Sequence, residues 1–541
     1  MAGGAGAARG TPSVLTALVL AGLLLRTWAY LAGTPLWLDE ILLARNILTL
    51  PLGDLLTRPL YLDQVAPPGF LLLEKLAVRA FGGGEHALRL VPFLFGVAGL
   101  FLFRRLAERA LEPAAAAVAV GLYAIAVPFI RYAAEVKQYE LDATVAILLL
   151  LVALDLRGRE RSTRRLVLTG LAGLPIVLVS QAAVLVMAGI GLAFLVLWAT
   201  DRDRGTARVL LLTMPPWALA AGCATLLGTR SMTPSTREFM HDFWGQGFLP
   251  RPVRWPGAAE WIWTQLQSVF IEPALLRYPW PPLYLAVALV GVAVLWRSRR
   301  DVALFLLGPF TVAVLASAAQ QYPFRGRLML YLVPGLLLTI AAGAGWGRQA
   351  LGGVTPAGGW AALFALVLPP VAALLETPPP YQIEDHRTIL AYLARQHRPG
   401  DSIYVFPLSR IGMLYYGPRY GIRPGQWTTS VCDRYDTRAW LRDVDRYRGV
   451  QRLWVLSSNG RPYRSARPAV RNYLATVGVR RDSLMLPSLT FETVSLELYD
   501  LSDSARLRAV SAATFPVLPM PTDPRPGCRP WARPSPSDTF P

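Results

Sequence analysis

Long apolar stretches alternate with short polar segments over the first 375 residues of the chain. The first stretch, from about Val14 to Leu31, is long enough to cross a lipid bilayer as a helix. Continued along the chain, the pattern predicts eleven membrane spans, at about 14–31, 89–103, 113–130, 143–156, 166–181, 183–199, 209–228, 282–296, 302–318, 328–345 and 359–375. We therefore expect a polytopic α-helical membrane protein whose membrane-spanning module covers residues 1–375.

Clusters of arginine between the spans indicate how the chain is oriented. Cytoplasmic loops of membrane proteins carry an excess of Lys and Arg. The densest clusters all follow spans that end on one side of the membrane, at residues 104–109, 157–165, 202–208 and 297–300. This orientation places the first loop (34–88) and the long loop (229–280) outside the cytoplasm. Because the first span lacks a small-residue cleavage site, we expect a retained signal-anchor helix.

A polar region follows the last span, from Glu376 onward, and lies on the extracytoplasmic side by the same count. Ile383–Gln396 has helical periodicity, while Ile403–Phe406 and Arg452–Leu456 are short apolar runs typical of buried strands. The pattern predicts a small α/β domain over 376–510. The tail at 511–541 is rich in Pro and Ser, so we expect it to be disordered.

Composition agrees with a membrane protein and excludes an ordinary soluble enzyme. The 541 residues are 53% hydrophobic, with a mean hydropathy of +0.38. A net charge of +19 resembles that of nucleic-acid-binding proteins, but only Lys75 and Lys137 among the 54 basic residues are lysines. Such an arginine bias, with abundant Ala, Gly and Pro, is typical of a GC-rich coding sequence. We therefore expect a lipid bilayer and no nucleic acid as partner.

Cysteine and histidine give no metal-binding pattern. The three cysteines are Cys223, inside a span, and Cys432 and Cys528 in the C-terminal region. The last two could form a disulfide in an extracytoplasmic domain or remain free thiols. His86, His241, His386 and His397 share no ligand spacing.

An acidic pair, Asp39-Glu40, stands just beyond the first span, and Asp63 and Gln64 follow in the same loop. Carboxylates at a membrane surface are suited to take a proton from a hydroxyl or to hold a divalent cation. Asp39 and Glu40 are therefore candidate catalytic residues, and Asp63 is a candidate metal ligand. An alternative is that the pair are first-turn acids of a helix over Ile41–Leu50, stabilised by the helix dipole.

Two further extracytoplasmic segments carry candidate binding residues. The second loop has Glu135, Lys137, Gln138 and Tyr139, and the segment before the tenth span has Arg325 and Arg327. Cations at this face are suited to hold a lipid phosphate, with Lys137, Arg325 and Arg327 as phosphate ligands and Glu135, Gln138 and Tyr139 as substrate contacts. Alternatively, Lys137 is a salt-bridged surface residue, and the arginines are snorkelling anchors.

Trp244, Trp255, Trp261 and Trp263 lie within the long loop. Their pattern favours an aromatic belt at the membrane interface, and a platform on which a sugar stacks is the alternative.

Several motifs together resemble a known family. They are Trp37-Leu38-Asp39-Glu40, Ala66-Pro67-Pro68-Gly69-Phe70-Leu71-Leu72-Leu73, Phe81-Gly82, Leu88-Arg89-Leu90-Val91-Pro92, Glu135-Val136-Lys137-Gln138-Tyr139 and Arg325-Gly326-Arg327-Leu328 before Pro334. In order and spacing they resemble the GT-C membrane glycosyltransferases, in particular the protein O-mannosyltransferase and lipid A aminoarabinose transferase group.

The resemblance implies a GT-C-like fold, with Asp39 as the first-loop acid that serves as catalytic base or metal-associated acid and Glu40 completing the pair. In the aminoarabinose transferase a Glu and a Lys precede the Pro-Pro-Gly-like helix. Here that stretch is Asp63-Gln64-Val65, with no lysine, so the role of that lysine would pass to Lys137 or Arg325.

The implied function is transfer of a sugar from a polyprenyl-phosphate donor to an extracytoplasmic glycan, lipid or protein, with inversion at the anomeric carbon and possible help from a divalent cation. The expected location is the inner (plasma) membrane, with a multi-pass topology and an extracytoplasmic C-terminal domain. Two alternatives stay open. A transporter or flippase of lipid-linked saccharides would need ionisable residues along its spans, and a cell-envelope glycan-binding scaffold would not need the acids.

Overall fold

Helices dominate the structure, a computed structural model that describes residues 11–158, 161–276, 281–353, 355–432, 436–458, 466–486, 488 and 493–517. Numbered along the chain, the helices are α1 (Thr11–Leu31), α2 (Leu38–Thr49), α3 (Leu52–Thr57), α4 (Pro68–Phe81), α5 (Glu85–Ala110), α6 (Pro113–Ile125), α7 (Val127–Tyr132), α8 (Tyr139–Gly158), α9 (Thr163–Leu171), α10 (Gly173–Val179), α11 (Ala182–Asp201), α12 (Arg204–Leu212), α13 (Met214–Arg230), α14 (Pro234–Phe243), α15 (Gly257–Ile271), α16 (Pro281–Ser298), α17 (Arg300–Ala318), α18 (Val333–Gly352), α19 (Pro356–Glu376), α20 (His386–Gln396), α21 (Pro407–Tyr416), α22 (Thr437–Asp445), α23 (Ala466–Val477) and α24 (Ser504–Ala509). Short 3-10 turns cover Gly245–Gly247, Gly326–Leu332 and Gly417–Tyr420.

The chain divides into two compact units. The helical unit comprises Met1–Ala32 and Leu50–Pro380, and the mixed unit comprises Gly33–Thr49 and Tyr381–Pro541. Segment 33–49, which carries the acidic pair, therefore groups with the C-terminal part of the chain and not with the helices that flank it in sequence. The predicted disordered tail falls mostly on 518–541, outside the described residues.

Eight helical segments among the described residues are long and apolar enough to cross a membrane, so the protein is a multi-pass membrane protein. They are Ser13–Leu31, Glu85–Ala110, Ala182–Asp201, Arg204–Gly228, Pro281–Ser298, Arg300–Ala318, Gly326–Gly352 and Ala357–Glu376. All eight coincide with predicted spans. The predicted spans at 113–130, 143–156 and 166–181 fall on helices that are shorter, interrupted or more highly charged.

The helix is interrupted within the predicted span at 113–130, and hydrogen bonds from another helix compensate for the interruption. The span is divided at Ala126 into α6 and α7, which leaves the last carbonyl groups of α6 without partners inside the helix. Arg26 of α1 is fully buried and donates hydrogen bonds to the carbonyl oxygens of Tyr123 (3.3 Å) and Ala124 (3.2 Å). An interrupted helix is tolerated inside an apolar bundle when its remaining carbonyl groups accept hydrogen bonds in this way.

One end of the helical unit gathers the arginine clusters. Asp155, near the end of α8, pairs with Arg161 (2.6 Å) and Arg165 (2.8 Å), and Arg109 at the end of α5 approaches it at 3.9 Å. Arg299 donates to the Arg109 carbonyl oxygen at 3.2 Å. Clusters far apart in sequence therefore share one face, as the positive-inside count requires.

The mixed unit contains a five-stranded sheet in the order β2-β1-β3-β5-β4. Its strands are β1 (Ser402–Val405), β2 (Thr428–Thr429), β3 (Leu453–Ser458), β4 (Val479–Met485) and β5 (Val494–Asp500). β1 pairs in parallel with β2 and β3, whereas β5 runs antiparallel to β3 and β4. Trp440, Tyr473 and Tyr499 fill the core beside it. Cys432 is disulfide-bonded, and Cys528 lies outside the described residues.

Candidate active site

The segment between α7 and α8 places four predicted site residues at one end of the helical unit. Glu135, Lys137, Gln138 and Tyr139 are all buried, because the chain folds inward after α7 before α8 begins. Glu135 pairs with Arg131 at 3.1 Å. Lys137 donates from Nζ to the Gln64 side-chain oxygen at 2.9 Å. The buried position of Lys137 excludes the interpretation as an exposed surface ion pair.

Asp63 and Gln64 lie on a turn with unusual backbone geometry. Leu62 and Asp63 have φ angles of 66° and 54°, a left-handed conformation that is rare for residues other than glycine. The Asp63 side chain accepts a hydrogen bond from the Thr236 hydroxyl at 3.1 Å, and Thr236 belongs to α14 in the long loop. Backbone strain of this kind concentrates at functional sites. The turn directs Gln64 toward Lys137 while Asp63 ties the first loop to the long loop.

Arg327 joins three segments through aromatic rings. Its guanidinium carbon lies 5.3 Å from the centre of the Tyr139 ring and 5.8 Å from the centre of the Trp244 ring, both within cation–π range. Gly326 precedes it with a φ of 52°, so the turn between Arg325 and Arg327 favours glycine. Arg325 hydrogen-bonds the side chain of Gln246 in the long loop.

Glu135 and Arg327 act in opposite directions on the pKa of Arg131. Burial works against the charge of Arg131, but the Glu135 carboxylate raises the pKa of that guanidinium above its usual value, and Arg327 opposes this as a nearby like charge. The Gln138 side-chain oxygen is buried and accepts no hydrogen bond within the part of the chain that the structure describes. Clustered cations beside polar and aromatic groups can bind a phosphate group and the polar substituents attached to it.

The structure thus brings together Asp63, Glu135, Lys137, Gln138, Tyr139, Arg325 and Arg327, all within the helical unit. Sequence reasoning missed Arg131, Thr236 and Gln246 as members of the cluster. Among the tryptophans, Trp244 lies under Arg327 and Trp261 is buried, whereas Trp255 and Trp263 are exposed, so the four do not form one uniform group. The Arg131-to-Glu135 spacing of four residues on a predicted helix end was the available signal for Arg131.

Asp39 and Glu40 lie in the mixed unit, in the first turn of α2, where the alternative interpretation also placed them. The Glu40 carboxylate is buried and accepts a hydrogen bond from the Trp37 backbone N–H at 3.3 Å. A glutamate at the third helical position that reaches back to the residue before the helix is half of a capping box. Asp39 is only half-buried. One of its carboxylate oxygens, Oδ2, is buried as well.

A divalent cation is the one cofactor that the motifs suggest. Among the described residues, no three His, Cys, Asp or Glu side chains are grouped to hold a metal ion. Asp63, the candidate ligand, contacts the Thr236 hydroxyl and is followed by an amide side chain, Gln64. The metal role of Asp63 therefore stays a prediction, and no catalytic step is assigned to a metal.

Comparison with known proteins gives one family and several solved structures. Residues 65–224 match the family described as dolichyl-phosphate-mannose-protein mannosyltransferase. Curated protein sequences give no significant match. The oligosaccharyltransferase AglB of Archaeoglobus fulgidus, solved with an inhibitory peptide and a dolichol-phosphate, has a TM-score of 0.50 at 14% identity, over 92% of this chain and 74% of that chain.

ArnT of Cupriavidus metallidurans, solved with undecaprenyl phosphate, has a TM-score of 0.45 at 17% identity, over 91% of this chain and 98% of that chain. The likeness to AglB concerns the fold, because the sequences are only distantly similar. The chain is thus similar to the mannosyltransferase family over residues 65–224 and to AglB in its fold.

Proposed function

We propose that the protein transfers a sugar from a polyprenyl-phosphate donor to an acceptor outside the cytoplasm, with inversion at the anomeric carbon. The observation that carries this proposal is the match of residues 65–224 to a family named for a dolichyl-phosphate-sugar donor. That range contains the predicted site residues Glu135, Lys137, Gln138 and Tyr139. Lys137, Arg325 and Arg327, the predicted phosphate ligands, form the cationic cluster. AglB, whose fold the chain shares, was also solved with a lipid phosphate, dolichol-phosphate.

The cationic cluster receives the donor phosphate in this proposal. Lys137, Arg325 and Arg327 compensate the negative charge that grows on the phosphate as the bond to the sugar breaks. Glu135, through its pair with Arg131, keeps the loop in place. Gln138 and Tyr139 contact the substrate beside the phosphate.

Asp39 acts as general base in the proposed reaction. It takes the proton from the acceptor hydroxyl, whose oxygen forms a bond to the anomeric carbon as the carbon–oxygen bond to the phosphate breaks. The bonding electrons leave with the lipid phosphate, and the sugar passes through an oxocarbenium-like state. Attack opposite the leaving group inverts the anomeric centre. Glu40 assists by fixing the start of α2, which carries Asp39.

The location follows from the same assignment. We propose an inner (plasma) membrane protein with the mixed unit outside the cytoplasm, because the arginine clusters mark the cytoplasmic ends of the predicted spans and the chain leaves the last predicted span on the other side.

The experiment compares a deletion strain carrying wild type, Asp39→Asn or Asp54→Asn at equal expression. Surface glycans and lipid-linked sugars are measured by mass spectrometry. Asp54 is a matched control, since it lies in the same loop region and pairs with the exposed Arg58. We expect the deletion and Asp39→Asn to lose one glycan residue and accumulate one polyprenyl-phosphate sugar, while Asp54→Asn behaves as wild type.

A different result separates the alternatives. Wild-type glycans in Asp39→Asn, with loss in the deletion, would remove Asp39 from the mechanism and favour transport or scaffolding. Accumulation of the sugar donor on the cytoplasmic face alone would point to a flippase.

A further inference from the structure

Segment 33–49 is built into the mixed unit. α2 is buried along most of its length: Ile41, Leu43, Ala44 and Ile47 are fully buried. α2 packs against α21, although more than 350 residues separate them in sequence. The position of Asp39 is therefore set by residues from the C-terminal part of the chain.

Three side chains of the mixed unit hold the backbone that leads to Asp39. The Arg387 guanidinium donates to the Gly33 carbonyl oxygen at 3.0 Å. The Leu36 backbone N–H donates to the Tyr416 hydroxyl oxygen at 2.7 Å. These contacts fix the chain on both sides of Pro35, a few residues before the acidic pair.

The third contact is made by Glu384 and lies next to Asp39 itself. The Leu38 backbone N–H donates to a Glu384 carboxylate oxygen at 3.0 Å. Leu38 is the first residue of α2, and the N–H groups of a first helical turn have no partner inside the helix. Glu384 supplies that partner, and its negative charge is also favoured at a helix N-terminus.

The holding residues are themselves fixed. Asp385 caps α20 by accepting a hydrogen bond from the Thr388 N–H at 2.8 Å, which orients the adjacent Glu384. A methyl group added at Gly412 of α21 would meet the His386 ring at 2.3 Å, so the two helices are in very close contact. Tyr416 is the last residue of α21, and Glu384 lies two residues before α20, the helix in close contact with α21.

We propose that Glu384 and Tyr416, with Arg387, are positioning residues that hold Asp39 in its reactive geometry, so that the C-terminal part of the chain is required for the chemical step. This inference rests on the proposed function. A misplacement of about 1 Å in a catalytic group can cost about 100-fold in rate. The contacts end within one residue of Asp39, so their loss affects turnover before it affects donor binding.

The test measures kcat and the donor KM of purified wild type and variants, with thermal stability recorded for each. Glu384→Ala and Tyr416→Phe remove the acceptors of the Leu38 and Leu36 N–H groups. Glu384→Gln keeps an acceptor oxygen. Tyr392→Phe is the matched control, since the Tyr392 hydroxyl donates to Asp482 at 2.7 Å elsewhere in the same unit.

We expect Glu384→Ala and Tyr416→Phe to lower kcat by about 10- to 100-fold with a nearly unchanged donor KM. Glu384→Gln should stay within about threefold of wild type, and Tyr392→Phe should equal it. Amide hydrogen exchange should become faster at Leu38 in Glu384→Ala and at Leu36 in Tyr416→Phe. In an Asp39→Asn background, Glu384→Ala should lower the residual rate no further, because coupled residues are not additive.

Unchanged kcat in both contact variants, or an equal loss in Tyr392→Phe, would overturn the positioning role. An equal loss in Glu384→Ala with and without Asp39→Asn would also overturn it, since the two residues would then act independently. If Asp39→Asn has wild-type activity, the proposed function fails, and the positioning role falls with it. Inactive Asp39→Asn with fully active Glu384→Ala rejects only the positioning role.

Discussion

At the scale of single residues, hydrogen-bond partners distinguish two of the predicted site residues. Lys137 and Glu40 are both charged and both buried, yet their contacts differ. Glu40 accepts the backbone N–H of Trp37, the residue before its own helix, whereas Lys137 donates to the side-chain oxygen of Gln64 in another loop. A buried ammonium group is costly to maintain, and an anionic ligand would compensate its charge.

Replacement of Lys137 by methionine tests that role. We expect Lys137→Met to weaken binding of polyprenyl phosphate by about 10- to 100-fold, the value of one hydrogen bond to a charged group. Binding is measured by calorimetry on the detergent-solubilised protein. Arg165→Met removes one cation at the opposite, arginine-rich end and should leave the affinity unchanged. Equal losses in the two variants would mean that net charge alone is responsible.

His386 gives the mixed unit a pH dependence. The ring is buried, and desolvation lowers the pKa of His386 to about 4 from its usual 6.5. Between these values the unfolded chain binds a proton that the folded chain does not, so stability is full above about pH 6.5 and falls as the pH is lowered to about 4.

A shift of this size corresponds to a loss of about 3 kcal/mol in the free energy of unfolding between pH 7 and pH 4. We expect His386→Gln to flatten this part of the curve, even if the variant is less stable at pH 7. Thermal unfolding recorded at several pH values measures it. Parallel curves for wild type and variant would show that His386 does not titrate in this way.

At the scale of elements, the turns carry more of the site than the helices do. The arginine-bearing turn before α18 contains Gly326 with a positive φ, and the first loop holds Leu62 and Asp63 in the same backbone region. Residues of these turns contact other segments, Arg327 at Tyr139 and Trp244 and Gln64 at Lys137.

Substitution of Gly326 tests how much the turn matters. Alanine in a left-handed conformation costs about 1–2 kcal/mol, so we expect Gly326→Ala to lower kcat/KM by about tenfold as Arg325 and Arg327 shift. Asparagine tolerates this conformation, and Gly326→Asn should lose less. Gly347→Ala is the control, because no atom lies within 4 Å of the added methyl group. Similar activity in all three variants would contradict the expectation.

At the scale of the whole molecule, hydropathy and charge patterning predicted the membrane character and the eight long apolar helices. The helix over 41–50 and the strands near 403 and 453 also lie where the apolar runs predicted elements. Other features depend on contacts between distant segments, which a single sequence does not encode in its periodicity. These include the hydrogen bonds from Arg26 to the carbonyl groups at the end of α6, the cation–π contacts of Arg327, and strands β4 and β5.

Topology is the whole-molecule property that a fusion experiment checks. Alkaline phosphatase is active only where its disulfides form, outside the cytoplasm. We expect a fusion at the C-terminus to be active and a fusion after Arg299, in the arginine-rich face, to be inactive. A green fluorescent protein fused at the same two points should give the inverse pattern. Activity at both positions, or at Arg299 alone, would contradict the orientation.

Segment 33–49 and the C-terminal part of the chain, which fold into one unit, are synthesised at different times. Leu38 leaves the ribosome 346 residues ahead of Glu384, the partner of its N–H group. At about 5–20 residues per second, roughly 20–70 s of synthesis separate the two. During that interval the nascent chain carries the acidic segment without the residues that contact it. If those contacts position Asp39 as proposed, a nascent chain that ends before Tyr416 would not yet transfer sugar.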